Sequence, residues 1–146
     1  MPLDTYLSQI GILNLIELML DEVKLYGKDD PIKDIYKLLN YLTDQSNKTQ
    51  NYQNLTTVKI IESRLKVLSG DLNQANEILE EALLISSELK LINLKEQILI
   101  EQKHLMGELE NWKELLENNV EISIRLEKLK LINYIKYAKQ IAVEKW

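Results

Sequence analysis

Cysteine and phenylalanine are absent from this chain of 146 residues, which has only four glycines, two prolines and one histidine. Without cysteine the chain forms neither a disulfide nor a thiolate metal site, and it has no cysteine nucleophile. Folds rich in strands need many β-branched, aromatic and turn residues, whereas Leu, Ile, Glu and Lys dominate here and helix breakers are few. The composition therefore predicts an all-α protein.

Long hydrophobic runs are also missing. The most apolar stretch, from Ile10 to Leu20, is interrupted by Asn14 and Glu17 and is shorter than the roughly 20 residues that a helix needs to cross a bilayer. The first six residues lack the basic segment that begins a secretory signal. We therefore expect a cytoplasmic protein that does not associate with a membrane.

Turn residues predict three helical hairpins and a closing helix, all within a single domain spanning residues 1–146. The clearest turn is Ser69-Gly70-Asp71, and Met106-Gly107-Glu108 repeats its pattern more weakly. The predicted hairpins cover about residues 4–46, 55–89 and 92–119, and the closing helix covers about 126–144. Residues 119–126 alternate apolar and polar side chains, which fits either an extended link or a helix buried on two faces.

The second helices of the three hairpins share one apolar pattern, which is typical of an internal repeat. Their first inward positions are Ile32, Leu72 and Leu109, so that successive hairpins are offset by 40 and then 37 residues. In the middle hairpin, Ala75 and Ala82 recur in register although the chain has only four alanines. Small side chains at this spacing predict a close helix crossing.

This middle hairpin, Thr56 to Leu89, resembles a tetratricopeptide repeat. Its small and large positions and its turn match that pattern at Ser63, Gly70-Asp71, Ala75, Leu79 and Ala82. It departs from the pattern at Lys59, where an aromatic residue is expected, and at Ser87, where proline is expected. The last hairpin, which contains Trp112, and the closing helix together look like the C-terminal end of larger microbial tetratricopeptide proteins. The resemblance implies antiparallel hairpins stacked as a right-handed solenoid with a C-terminal capping helix.

Catalytic chemistry has little support in the sequence. The single histidine, His104, shares its helix face with Glu101 and Gln97, but a catalytic zinc site needs three protein ligands. The glycines are isolated, so there is no glycine-rich phosphate loop. We therefore expect no enzyme activity, no metal site and no cofactor.

Charge is distributed unevenly along the chain. Residues 1–70 carry a net charge of −1, residues 71–121 carry −8 and residues 122–146 carry +4. We expect the basic closing helix to cap the acidic region that precedes it. Nucleic acid is an improbable partner, because the chain has only two arginines and is negative overall.

In tetratricopeptide proteins the first helix of each hairpin lines the binding surface, so the resemblance implies a non-catalytic interaction scaffold that binds another protein or a peptide. The alternative function is a regulatory helical domain that responds to a ligand or to nucleic acid. The predicted partner-binding groove is lined by Thr57, Ile60, Arg64, Val67, Leu94, Gln97, Glu101 and His104.

The N-terminal helix is apolar on two sides. One stripe contains Leu13, Ile16, Leu20 and Val23, and a second contains Ile12, Leu15 and Met19. Because the end of a repeat array needs a polar outer face, this pattern predicts either that further chain precedes it or that the helix supports self-association.

Overall fold

A computed structural model describes the backbone of residues 3–144 and the side chains of residues 8–143, and this part of the chain is helical with no strand. The prediction of an all-α protein is therefore confirmed. The helices are α1 (Leu3–Tyr26), α2 (Ile32–Lys48), α3 (Tyr52–Leu68), α4 (Leu72–Glu88), α5 (Ile92–Gly107), α6 (Leu109–Glu117), α7 (Ile122–Leu129) and α8 (Leu131–Glu144).

The chain divides into two compact units. The terminal unit contains the chain up to Leu55 and again from Glu121 onward, and the central unit runs from Thr56 to Val120. Helix α3 begins in the terminal unit and continues through the central unit.

In the terminal unit, α1 packs against α2, α7 and α8. The first apolar stripe of α1 is fully buried in this core, together with Ile35 and Leu39 of α2. The second stripe is only partly covered, because Ile12 and Met19 are half-buried and Leu15 is exposed. Three neighbouring helices therefore cover the first apolar stripe of α1 and part of the second.

The C-terminal segment differs from its prediction. In place of one closing helix over 126–144, the structure has α7 and α8, separated by Lys130 in the left-handed conformation with φ of 52°. Leu126 and Leu131 are both buried, yet in a continuous helix side chains five residues apart point about 140° away from each other. The break lets both leucines enter the core, and α7 and α8 both pack on α1.

The links before α3 and α7 are short. Helix α3 begins at Tyr52, three residues earlier than predicted, because the Asn51 side chain accepts a hydrogen bond from the backbone N–H of Asn54 at 3.1 Å, the usual N-cap pattern. In the segment that the sequence left open, α7 already begins at Ile122. Most of residues 119–126 is therefore helix.

The central unit contains the middle hairpin, in which the turn and the small residues lie as predicted. Gly70 has φ of +90°, and the Asp71 carboxylate accepts a hydrogen bond from the backbone N–H of Gln74 at 3.0 Å, so that it caps α4. Ala75 and Ala82 are both buried. Helix α4 packs on α5, which in turn contacts α6.

Within the described residues, no helix combines the length and the apolar character that a membrane span requires.

Candidate functional site

An ion pair between Arg64 and Glu101 joins α3 to α5. The Arg64 Nε donates to Glu101 Oε1 at 2.8 Å, and Arg64 Nη2 donates to Glu101 Oε2 at 3.0 Å. The two side chains are 22% and 18% exposed. Two parallel hydrogen bonds between a guanidinium and a carboxylate fix both groups more tightly than a single contact does. The pair therefore presents a partly accessible, rigid polar patch at the junction of the two helices.

Gln97 and His104 flank Glu101 on α5. Gln97 lies one turn before Glu101 and is half-buried, while His104 lies one turn after it on the same side of the helix and is exposed. The four side chains provide an amide, an imidazole, a guanidinium and a carboxylate within one stretch of surface. We call Arg64, Gln97, Glu101 and His104 the polar face.

The other four residues of the predicted groove have a different environment. All four side chains are buried, with 8% exposure or less, namely Thr57, Ile60, Val67 and Leu94. These side chains belong to the core of the central unit, so an accessible groove in this conformation rests on the polar face alone. They were assigned to a surface because the resemblance implies that the first helix of each hairpin lines a groove. That register does not separate the buried from the open sides of a helix that is apolar on several sides, as α3 is.

On the opposite side of α5, Gln102 connects this helix to α4. Its amide nitrogen donates to Asn76 Oδ1 at 3.1 Å and to Glu80 Oε1 at 2.6 Å. Together with the Arg64 pair on the other side, these bonds fix the rotation of α5 about its own axis.

Sequence reasoning missed a second surface on α5. Four large apolar side chains are exposed there, namely Ile92, Leu99, Ile100 and Met106. Their signal in the sequence is the spacing of Ile92, Leu99 and Met106, which recur every seven residues and therefore share a side of the helix.

The basic C-terminal helices form polar contacts within the terminal unit. Lys139 of α8 lies 3.0 Å from the Glu17 carboxylate and donates to Asn14 Oδ1 at 2.8 Å, both on α1. On α7, partial burial lowers the pKa of Arg125 from its ordinary value. Both α7 and α8 pack on α1 within the terminal unit.

Residues capable of metal binding do not cluster among the described side chains: no group of three His, Asp or Glu residues is placed to hold an ion. Comparisons of the chain with protein-family models, with curated proteins and with solved structures find no match.

Proposed function

We propose that this chain is a non-catalytic helical-repeat protein that binds another protein or a peptide, with the polar face of the central unit as its binding site. The observation that carries the proposal is the rigid Arg64–Glu101 pair with Gln97 and His104 beside it. A preformed polar surface of this kind binds a partner at a low cost in side-chain entropy, because the guanidinium and carboxylate are already held in place.

The chemistry of the polar face suits a backbone or amide ligand. Gln97 supplies both a donor and an acceptor, and each ring nitrogen of His104 donates or accepts according to the tautomer. Arg64 and Glu101 already satisfy much of each other's hydrogen-bonding capacity, so the site carries little net charge. We therefore propose an uncharged polar segment of a partner protein as the ligand, bound without covalent change.

The finer architecture belongs to the same proposal. The tight turn, the buried small residues and the Ser63–Ala75 hydrogen bond between α3 and α4 support a tetratricopeptide-like interpretation of the middle hairpin. We propose that this hairpin is the repeat unit on which the binding site is built, and that the protein acts as a scaffold in the cytoplasm.

The test is affinity capture followed by measurement of direct binding. Wild type and a Gln97→Ala/His104→Ala variant are used as baits, and Asn40→Ala on the exposed side of α2 serves as the control. We expect a protein that wild type and the control retain and the double variant loses. Calorimetry with that purified protein should then show that the double variant binds at least tenfold more weakly, because it lacks at least one good contact with the partner. Equal binding by all three baits contradicts the proposal.

A further inference from the structure

The side of α5 that faces away from its core carries an uncovered apolar strip. Ile92 is 70% exposed, Ile100 68%, Met106 54% and Leu99 43%. The opposite side of the same helix holds Leu94, Ile98 and Leu105, which are buried. We call the strip formed by Ile92, Glu96, Leu99, Ile100, Lys103 and Met106 the outer face of α5.

Two opposite charges lie on the midline of this outer face. Glu96 and Lys103 are exposed and seven residues apart, so they project from the same side of α5. Neither forms a hydrogen bond or an ion pair with any residue in the described part of the chain. The charges stand among apolar side chains with no partner on their own helix.

The positions of these charges have a two-fold relationship. Glu96 lies as far before the midpoint between Leu99 and Ile100 as Lys103 lies after it. A second copy of α5, laid antiparallel across this midpoint, places each Glu96 opposite Lys103 of the other copy. A parallel arrangement would instead place Glu96 against Glu96 and Lys103 against Lys103, and like charges in direct opposition are destabilising.

The apolar side chains suit the same arrangement. Close to the two-fold axis, Leu99 meets Leu99 of the second copy, and Ile100 meets Ile100 on the other side of the axis. Farther out, Ile92 of each copy meets Met106 of the other, because both lie on the same edge of the outer face. The flexible thioether of Met106 adapts readily to a neighbouring side chain.

We propose that the outer face of α5 is the interface of a symmetric antiparallel homodimer. A two-fold interface must be self-complementary, since the same patch meets itself, and the outer face meets this condition in both charge and apolar pattern. The proposal is independent of the polar face, because Gln97 and His104 lie on the flank of α5 and are left accessible.

The exposed stripe of α1 lacks this complementarity. Leu15, Leu18 and Leu25 are exposed there, but the charged side chain that is exposed among them is Glu22. Antiparallel pairing of two copies through this stripe brings Glu22 against Leu18 or against itself. The self-association predicted for the N-terminal helix is thus less well supported than dimerisation through α5.

Analytical ultracentrifugation with charge-reversed variants tests the dimer. For the wild type, we expect the mass to rise from that of one 17.1 kDa chain toward twice that value across about 1–100 μM, the range that brackets micromolar association. Glu96→Lys and Lys103→Glu each turn two attractive pairs into two repulsive ones, so each variant should dimerise about tenfold more weakly. Glu77→Lys and Lys33→Glu, which make the same charge changes at exposed positions elsewhere, should dimerise like the wild type.

Restoration of the pairing makes the test specific. An equimolar mixture of Glu96→Lys and Lys103→Glu chains regains both opposite-charge pairs, and so does the double variant alone. Both samples should recover the dimer, while Ile100→Glu should lose it. Circular dichroism establishes that each variant keeps the helical content of the wild type. A monomeric wild type overturns the proposal, and so does a mixture or double variant that fails to recover the dimer.

Discussion

The Ser63 hydroxyl donates a 2.9 Å hydrogen bond to the backbone carbonyl oxygen of Ala75, twelve residues later on the next helix. Both residues are buried, Ser63 at 2% and Ala75 at 0% exposure. A side chain as short as serine reaches a backbone oxygen on a neighbouring helix only where the two helices approach closely, so the bond records the crossing of α3 and α4 directly. The small side chain of Ala75 is what permits this approach.

Ala75→Leu should therefore lower the free energy of unfolding by about 1–3 kcal/mol, because the added methyl groups overpack the crossing. Gln74→Leu, at the neighbouring exposed position, should change it by less than about 0.5 kcal/mol. Urea denaturation followed by circular dichroism measures both. Equal stability of the two variants would mean that the crossing has room for a larger side chain.

The Arg64–Glu101 pair should contribute measurably to stability because both side chains are more than three quarters buried. Glu101→Ala leaves the Arg64 guanidinium without this carboxylate and should cost about 1–3 kcal/mol. A double-mutant cycle with Arg64→Ala should give a coupling energy of about 1 kcal/mol or more.

The control for this pair is Lys37→Ala, which removes a surface contact of 3.9 Å to Asp34 between two largely exposed side chains. Its effect should stay within about 0.5 kcal/mol. A coupling energy near zero for Arg64 and Glu101 would show that the pair does not hold α3 and α5 together.

Trp112 is 8% exposed and is the buried anchor of α6. Trp112→Ala should cost about 3–5 kcal/mol through the loss of buried area and the cavity that it leaves. Tyr26→Ala removes an aromatic ring that is 69% exposed and should cost less than about 1 kcal/mol. Thermal and urea denaturation provide the comparison, and a small loss for Trp112→Ala would place the indole outside the core.

Two glycines should respond to alanine in opposite directions. Gly70 has φ of +90°, where an L side chain is strained, and its Cβ would meet Leu116 at 3.6 Å. Gly70→Ala should therefore cost about 1–2 kcal/mol from the backbone strain. Gly11 lies within α1, and no atom is near its Cβ position, so Gly11→Ala should add roughly 0.5–1 kcal/mol. If the melting temperatures of the Gly70→Ala and Gly11→Ala variants changed in the same direction, this account of the backbone at the two glycines would be refuted.

The helix content and most helix boundaries could be predicted, because they depend on residue types close together in the sequence. The turn at Gly70 and Asp71 depends on residue types that act within a few positions. The cap at Asn51 is equally local, but it lies in a run of polar residues, and the predicted start of α3 fell three residues too late. The break at Lys130 was missed because lysine has no preference for the left-handed conformation. The break allows both Leu126 and Leu131 to be buried against α1, and this depends on tertiary packing rather than on the local sequence.

In the candidate site, too, some features could be predicted from the sequence and others depend on tertiary packing. Arg64 and Glu101 are 37 residues apart and form two hydrogen bonds with each other. The predicted groove contained both residues, but no local pattern in the sequence indicates that they pair. Periodicity alone did not establish that Ile60 and Val67 are buried, because α3 is covered on several sides. The exposed apolar side chains of α5 were not predicted, because a seven-residue spacing places side chains on one side of a helix without showing whether that side is buried or exposed.

The most direct test of binding through the polar face is NMR of the isotope-labelled protein titrated with the partner obtained by affinity capture. We predict that the side-chain amide of Gln97 and the imidazole of His104 shift progressively with partner concentration, along with backbone amides near Arg64 and Glu101, while signals from α1 and α8 stay in place. Shifts that leave Gln97 and His104 unchanged while other surfaces respond would contradict the account.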